Sequence, residues 1–245
     1  MTDKTSVSCS APEDTTLYAI GDIHGRLDLL VRLMKLIEAD ANLQKTSSKE
    51  LIFLGDYVDR GVDSKGVIDF LLSGLPDGMK KTFLRGNHDE AMLRFLEGEL
   101  EKANDWLLLG GTATLVSYGV NPFQSNLIRD LTALHKSAME KVPESHRSFL
   151  AATEISATRG DYHFVHAGVR PFVPLEKQAV EDMLWIRYEF LGSKADHGKI
   201  IVHGHSILPE PDIHPNRIGI DTGAYATGTL TCLVLQENNK RFIST

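Results

Sequence analysis

The chain has 245 residues, of which 42% are hydrophobic and 24% charged, and its formal net charge is −7 at pH 7. These proportions are typical of a globular protein with one sizeable core, and a negative chain without a basic run does not favour nucleic-acid binding. We find no signal peptide or membrane-spanning stretch, and Cys9 and Cys232 form no disulfide framework, so we expect a cytoplasmic protein that binds neither nucleic acid nor membrane.

Short apolar runs alternate with longer amphipathic ones along the first part of the chain. Residues 1–15 are polar and aperiodic, which predicts a disordered tail before a single domain at 16–245. Five short apolar runs predict buried strands: 17–20 (LYAI), 51–54 (LIFL), 81–84 (KTFL), 162–165 (YHFV) and 199–202 (KIIV). Residues 26–40 and 64–75 have Leu, Val and Ile at helical spacing, so a β-α-β-α-β opening typical of α/β folds is predicted.

The rest of the chain predicts helices followed by strands. Residues 89–150 read as mostly helical, with a break at Gly110 and Gly111. The segment from Arg217 to Ser244 predicts strands and turns, so we expect a mixed sheet rather than a wholly parallel one.

Each predicted strand is followed by a glycine-flanked set of Asp, Asn and His. The segments are GDIHG (21–25), GDYVDRG (55–61), GNHDE (86–90), HAG (166–168) and HGHS (203–206). Ligands of α/β proteins bind beyond the carboxyl ends of the strands, so these side chains are expected to converge on one place. Turn chemistry explains one such segment equally well, but five in succession indicate a functional site.

These five segments, in this order, resemble the signature of the PPP-type metallophosphatases. That family includes serine/threonine protein phosphatases, the bacteriophage lambda phosphatase and symmetrical diadenosine tetraphosphate hydrolases. The segments 105–111 (DWLLLGG), 183–187 (MLWIR) and 220–224 (IDTGA) resemble its bacterial and phage branch, and the likeness covers nearly the whole chain. It implies an α/β fold in which a β-sandwich of mixed sheets is flanked by helices, in the order α-β-β-α.

The resemblance implies a centre of two divalent metal ions. Carboxylate, imidazole and amide donors without a thiolate suit Mn, Fe or Zn, and we expect Mn first. The implied ligands are Asp22, His24 and Asp56 for one ion, and Asp56, Asn87, His166 and His205 for the other. Asp56 would therefore bridge the ions, and with two charged carboxylates the loaded site would be about two charges positive.

The segment HGHS contains two candidate ligands. His203 and His205 would share one face of a continued strand, so periodicity does not separate them, and only the family's GH(S/T) triplet favours His205. The remaining histidines are predicted to be structural: His135, His146, His163, His197 and His214.

The resemblance also implies roles in hydrolysis at phosphorus. His88 resembles the general acid that protonates the leaving group, and Asp59 the carboxylate that orients it and raises its pKa. Arg60 and Arg187 resemble the two guanidiniums that clamp phosphoryl oxygens, with Asn87 and His88 completing the phosphate-binding set. For Arg187 the alternative is a salt bridge on a helix surface.

Other phosphate chemistries are excluded by their motifs, because the chain has neither a C-x5-R loop nor a G-x4-G-K-[ST] loop. We therefore expect a phosphomonoesterase in which a metal-bridging hydroxide attacks in line, first of all a serine/threonine protein phosphatase acting on phosphorylated proteins or peptides. A symmetrical diadenosine tetraphosphate hydrolase, or another small-phosphoester hydrolase, is the alternative. A catalytically silent metal- or phosphate-binding regulatory protein remains open.

Features within the site bear on the substrate. Asp59 and Arg85 favour the protein phosphatases, whereas Asp89 stands where the eukaryotic enzymes usually have Glu. Residues 98–150 are expected to wall the cleft, with Tyr225 as a lining residue.

Overall fold

Two five-stranded sheets stack face to face in the computed structural model, which describes residues 9–123 and 128–245. The strands are β1 (Thr15–Ile20), β2 (Ser48–Phe53), β3 (Lys80–Phe83), β4 (Ser156–Arg159), β5 (Tyr162–Val165), β6 (Ile200–His203), β7 (Asp212–Ile213), β8 (Arg217–Gly219), β9 (Thr231–Gln236) and β10 (Asn239–Ser244). The helices are α1 (Leu27–Leu43), α2 (Ser64–Ser73), α3 (Asn87–Leu96), α4 (Ala103–Trp106), α5 (Thr112–Ser117), α6 (Leu131–Lys141), α7 (Glu144–Ala151), α8 (Val180–Trp185), α9 (Tyr188–Leu191) and α10 (Ala224–Thr227).

The first sheet has the order β10-β9-β1-β2-β3. Strands β1, β2 and β3 are parallel, and β9 pairs antiparallel with both β1 and β10. Because parallel strands end at the same edge, the segments 21–25, 55–61 and 86–90 emerge side by side.

The second sheet has the order β4-β5-β6-β8-β7. Strands β5, β6 and β8 are parallel, with antiparallel β4 and β7 at the two edges. The five glycine-flanked segments therefore come from two sheets, three from the first and two from the second. The mixed sheets of the predicted β-sandwich are confirmed, and antiparallel β4 and β7, which the apolar runs did not predict, lie at the edges of the second sheet.

Alternation along β1 separates the core into layers. Leu17 and Ala19 lie between the two sheets, whereas Tyr18 and Ile20 face the helices on the outer side of the first sheet. A third apolar cluster packs α8 and α9 against the outer face of the second sheet. The predicted α-β-β-α arrangement is confirmed by these layers.

Most of the predicted elements are present, with shifted ends. The strand at 162–165 matches β5, the run at 199–202 corresponds to β6, and 89–150 contains α3 to α7. Gly110 interrupts that helical region with a φ of 129°. Among the described residues, no helix is long and apolar enough to cross a membrane.

The first eight positions of the predicted disordered tail, 1–8, lie outside the described residues. Further on, the backbone N–H of Ala11 donates to the carbonyl of Glu237 at 2.8 Å, and Ala11 is buried between the sheets. Thr15 already belongs to β1. The domain boundaries and the role of 98–150 as a cleft wall stay predictions.

Candidate active site

The loops after β1, β2 and β6 contain left-handed backbone at residues other than glycine. In the described part of the chain, five of the eight non-glycine residues with positive φ lie in these loops, namely His24, Asp56, Asp59, Arg60 and His205, with φ between 48° and 70°. Such a conformation costs about 1 kcal/mol or more for a residue with a Cβ, and it is concentrated at functional sites. Each of these residues comes from the predicted site, so the strain coincides with the residues singled out by sequence.

Asp56 lies at the centre of the site. It belongs to two buried groups, one with His24 and His88 and one with His166 and His205, and within each group the ligand atoms lie within 4.8 Å of one another. Asp56 Oδ2 is 3.3 Å from His24 Nε2 and 3.5 Å from His166 Nε2. A carboxylate placed between two clusters of imidazoles can bridge two metal ions.

Asn87 joins the second group from the first turn of α3. Its Oδ1 lies 2.8 Å from both His166 Nε2 and His205 Nδ1. His203 is turned away: its ring packs against Phe190 at 5.0 Å between centroids. The positive φ of His205 bends the chain after β6, so the two histidines do not continue one strand face.

Asp22 is buried at the end of β1, and its carboxylate accepts the backbone N–H of His205 at 3.0 Å. The structure thus places Asp22 against the loop of the second sheet. The compact group around Asp56 contains His88 where the family pattern has Asp22.

Hydrogen bonds on the far side of two rings fix which nitrogen faces the centre. His24 Nδ1 lies 2.8 Å from the carbonyl of Val58, and His166 Nδ1 lies 2.9 Å from the carbonyl of Leu54. With those nitrogens protonated, Nε2 of each ring presents a lone pair to the site. His166 Nε2 then faces Asn87 Oδ1 without a hydrogen between them, an arrangement that a cation would stabilise.

Two buried carboxylates of the site, Asp22 and Asp221, lack sufficient counter-charge. Burial, Asp221 and Asp56 together raise the pKa of Asp22 well above its usual value. Burial, with a smaller contribution from Asp56, raises the pKa of Asp221 to about 6. Oxygen and imidazole donors with this surplus of buried negative charge fit divalent metal ions.

Asp221 is a further carboxylate of the site, in addition to Asp22 and Asp56, from which the charge of the loaded site was predicted. It follows β8 in the segment 220–224 and is buried, with its Oδ1 accepting the N–H of Gly223 at 2.9 Å. An apolar run followed by Asp and Gly is the same signal that marked the other segments. Asp221 thus adds a third carboxylate to Asp22 and Asp56. With Asp221 ionised, a site holding two divalent ions would be about one charge positive rather than the expected two.

His88 and Asp59 form a buried pair next to this centre. His88 Nδ1 lies 2.7 Å from Asp59 Oδ2, and Asp59 is fully buried. Trp106 Nε1 donates to Oδ2 of the same carboxylate at 2.9 Å, and Thr114 Oγ1 donates to Oδ1 at 2.7 Å. Burial lowers the pKa of His88, but the carboxylates of Asp56 and Asp59 outweigh it, and the net pKa is raised.

Trp106 and Thr114 were not predicted as site residues. Trp106 lies within the segment 105–111 (DWLLLGG), and Thr114 follows it by three residues. That segment contributes only to the family resemblance in the sequence analysis. Their contact with Asp59 depends on how the helical region folds back over the loop after β2, and spacing along the chain does not reveal it.

Arg60 is held beside the two histidines that flank Asp56. Its Nη1 lies 3.0 Å from His24 Nε2 and its Nη2 lies 2.9 Å from His88 Nε2. The guanidinium also lies over the ring of Tyr225, 4.8 Å from its centroid. A cation at this position can bind the oxygens of a phosphoryl group next to the metal-binding residues.

Arg187 is exposed just before α9, on the side of the second sheet. Burial is the main cause of the lowered pKa of His205, to about 2, and the charge of Arg187 adds to it. In the described part of the chain, Arg187 has no ion pair within 4 Å. The alternative role for Arg187, a salt bridge on a helix surface, therefore has no partner here.

This geometry agrees with the comparison to known families. The model of the calcineurin-like phosphoesterase family matches residues 15–240. The chain therefore belongs to this family of metal-dependent phosphoester hydrolases. Membership in the phage branch in particular stays a prediction.

Relatives carry more than one kind of name. An asymmetrical bis(5'-nucleosyl)-tetraphosphatase PrpE of Anoxybacillus flavithermus is 28% identical over 235 residues, covering 87% of this chain and 88% of that protein. A crystal structure described as a diadenosine tetraphosphatase has a TM-score of 0.63 at 19% identity, covering 97% of this chain and 94% of that one. A protein serine/threonine phosphatase from Saccharomyces cerevisiae has a TM-score of 0.51 at 14% identity, covering 95% and 80%.

Proposed function

We propose that this chain is a serine/threonine protein phosphatase that uses two divalent metal ions, Mn²⁺ first among them, to hydrolyse phosphorylated proteins. The observation that carries the proposal is the 2.7 Å contact between His88 Nδ1 and the fully buried carboxylate of Asp59. It supports a positioned proton donor beside the residues that would bind the metal ions.

The identity of the leaving group decides how much such a donor contributes. Serine and threonine leave as strongly basic alkoxides, so a proton at the leaving oxygen stabilises the transition state. A dinucleoside polyphosphate releases a weakly basic phosphate group, which gains much less from protonation. A chain that maintains a buried acid-base pair with three donors to Asp59 is therefore better suited to phosphomonoesters with poor leaving groups.

Each polar side chain has a distinct task in the proposed reaction. Asp59 keeps the Nδ1–H of His88 directed at itself, so that Nε2 faces the substrate and can donate the proton. Without substrate, Arg60 Nη2 donates to that nitrogen at 2.9 Å; with substrate bound, the guanidinium would turn to the phosphoryl oxygens, and Nε2 would then be free to carry the proton for the leaving group. Besides burial, the charge of Arg187 contributes to the lowered pKa of His205, and Arg187 would bind phosphoryl oxygens from the side of the second sheet.

The metal ions would be held by the residues implied by the family pattern: Asp22, His24, Asp56, Asn87, His166 and His205. Bound there, two divalent ions supply positive charge to the phosphoryl oxygens and lower the pKa of the attacking water.

Hydrolysis of dinucleoside tetraphosphates is the second candidate. It is supported by the name of the Anoxybacillus relative, which matches this chain over 87% of its length. The rings of Trp185 and Tyr225 also lie near His205 and His24, at 6.1 and 5.5 Å between centroids, and both are partly exposed. Such faces can stack on nucleobases.

A direct comparison of substrates tests the proposal. With Mn²⁺, we expect kcat/KM to be higher for phosphoserine and phosphothreonine peptides than for a phosphotyrosine peptide or diadenosine tetraphosphate. A preference of tenfold or more, about 1.4 kcal/mol, for diadenosine tetraphosphate would establish the second candidate instead. Bound metal without hydrolysis of any of these substrates would favour the regulatory protein.

A variant of the proton donor makes the comparison more specific. His88→Asn is expected to lower kcat about 100-fold or more on a phosphoserine peptide, and much less on para-nitrophenyl phosphate, whose leaving group is a weak base. His214→Asn, at an exposed histidine on the surface, is the control. Equal losses on both substrates would contradict the role of His88 as a proton donor.

A further inference from the structure

A groove with a volume of about 430 Å³ lies beside the candidate active site. It is formed by the C-terminal half of α3, the turn that follows and α8. Phe95, Leu100 and Trp185 contribute apolar surface to its lining, and acidic side chains surround them.

The groove continues from the predicted metal-binding residues. Trp185 lines it, and the ring of Trp185 lies 6.1 Å from the ring of His205 between centroids. Glu90 lines it from α3, the helix that begins with Asn87 and His88. A substrate held at the active site and extending past Trp185 would enter this groove.

The charge of the lining is negative. Four glutamates face two cations, Arg94 and Lys102, which leaves an excess of two negative charges; the glutamates are Glu90, Glu99, Glu101 and Glu181. Arg94 is bonded to Glu90 at 2.8 Å and lies 3.9 Å from Glu99, and Arg85, which is outside the lining, pairs with Glu90 at 3.0 Å.

Two of these acidic side chains remain available to a ligand. Glu101 and Glu181 are exposed, and neither has an ion pair within 4 Å in the part of the chain that the structure describes. An apolar floor with a negative rim suits a side chain that has an aliphatic stem and a cationic head, and Trp185 can add a cation–π contact.

We infer that this groove binds an arginine or lysine of the phosphoprotein substrate, and this rests on the proposed function. An extended peptide advances about 3.3 Å per residue, so a side chain two to four positions from the phosphorylated residue can reach past Trp185. The same charge disfavours the polyphosphate of a dinucleotide. The groove therefore selects phosphoproteins with basic residues near the phosphorylation site.

The test uses phosphothreonine peptides that differ only at the third residue on each side of the phosphothreonine. Arginine, glutamine and glutamate are compared at those positions by kcat/KM with the Mn²⁺-loaded enzyme. We expect the arginine peptide to exceed the glutamate peptide about tenfold, and the ratio to shrink at about 1 M salt, where charges are screened within about 3 Å.

A charge-reversed enzyme isolates the groove. The double variant Glu101→Lys/Glu181→Lys is expected to abolish or invert the ratio between the two peptides. Glu38→Lys/Glu140→Lys is the control, because it changes the net charge equally at exposed positions outside the groove and should keep the ratio. Because the readout is the ratio of kcat/KM for the arginine and glutamate peptides, a change in the overall activity of a variant cancels.

Two results would overturn the inference. One is hydrolysis of all three peptides by the wild-type enzyme without a preference, which leaves the proposed function intact. The other is an unchanged preference in the Glu101→Lys/Glu181→Lys variant. Hydrolysis of diadenosine tetraphosphate with none of the phosphopeptides would instead overturn the proposed function, and the groove proposal with it.

Discussion

Asp56 and Asp59 lie three residues apart in the loop after β2, yet they have different surroundings. Asp56 is near the Nε2 atoms of His24 and His166, whereas Asp59 accepts hydrogen bonds from Trp106 and Thr114 and contacts His88. Both have left-handed backbone, with φ of 53° and 70°, so the chain turns sharply at each. One carboxylate is therefore suited to metal binding and the other to holding an imidazole.

Asp59→Asn is predicted to lower kcat on a phosphoserine peptide about 100-fold or more, because an amide no longer holds His88 as a charged proton donor. Mn²⁺ binding, measured by calorimetry, should persist. Asp56→Asn is the matched variant and should lose metal binding together with activity. If Asp59→Asn also lost its metal, the assigned role of Asp59 would be wrong.

Trp106→Phe tests the support of the same carboxylate. Phenylalanine keeps most of the ring packing against Gly111 and Phe95, but it removes the Nε1–H that donates to Asp59 at 2.9 Å. We expect kcat on a phosphoserine peptide to fall several-fold, with KM and Mn²⁺ affinity nearly unchanged. Turnover of para-nitrophenyl phosphate, which needs less protonation, should change little, and an equal loss there would indicate a merely structural role.

At the scale of elements, the first turn of α3 distributes three consecutive side chains to three tasks. Asn87 reaches His166 and His205, and His88 reaches Asp59. Successive residues of a helix point about 100° apart, so neighbours in sequence serve different partners.

Asp89, the third of these residues, points back toward the loop after β2. Its carboxylate accepts the backbone N–H groups of Asp56, Tyr57 and Gly86 at 2.7 to 2.9 Å. Burial and the charge of Asp56 raise its pKa to about 7. Asp89 thereby fixes the backbone at Asp56 and joins α3 to the end of β2.

Gly86→Ala is predicted to weaken Mn²⁺ binding by tenfold or more. A Cβ at Gly86 would lie 2.0 Å from Asp56 Oδ1, so the carboxylate would have to move. Calorimetric titration with Mn²⁺ measures the effect. Gly98→Ala is the control: its φ of 90° gives backbone strain, but its Cβ would meet nothing within 4 Å, so Mn²⁺ affinity should be retained.

At the scale of the whole molecule, an ion pair connects the two sheets. Glu50 on β2 accepts hydrogen bonds from Arg159 on β4, at 2.9 Å from Nε and 2.8 Å from Nη2, and from Thr82 at 2.7 Å. Burial raises the pKa of Glu50, but the bonds from Arg159 and Thr82 outweigh it, and the net pKa is below the usual value.

Glu50→Gln is predicted to lower the free energy of unfolding at pH 7 by about 2 kcal/mol, because the hydrogen bonds from the partly exposed Arg159 lose their charged acceptor. The folded-state pKa of Glu50 is depressed, so its contribution is complete above the unfolded pKa and is lost as pH falls through the folded value. The difference between wild type and variant should therefore shrink below about pH 4.

Urea unfolding at several pH values measures that difference. Glu38→Gln, at an exposed glutamate on α1, serves as the control and should leave the free energy of unfolding within about 0.5 kcal/mol of wild type at all pH values. A difference between wild type and Glu50→Gln that does not change with pH would contradict the ionised pair.

The sequence by itself determined most of the strands and helices of the first half of the chain and the five polar segments that meet at the site. Short apolar runs are recognisable because a buried strand needs them, and the polar segments follow where the strands end, as after Ile20 and Phe53. The strand ends and glycines sufficed to select the segments that contain Asp56, Asn87 and His166, because glycine allows close approach of the backbone to a ligand; the individual ligands within them were implied by the family resemblance.

Only the tertiary structure decided which side chains meet. His203 and His205 are equivalent by periodicity, and the turn after β6 separates them; Trp106 and Thr114 reach Asp59 across about fifty residues of chain. The division of the strands between two sheets was also undecided by the residues, because an apolar run looks the same in either sheet. Contacts between distant segments depend on packing, and packing has no signature in local spacing.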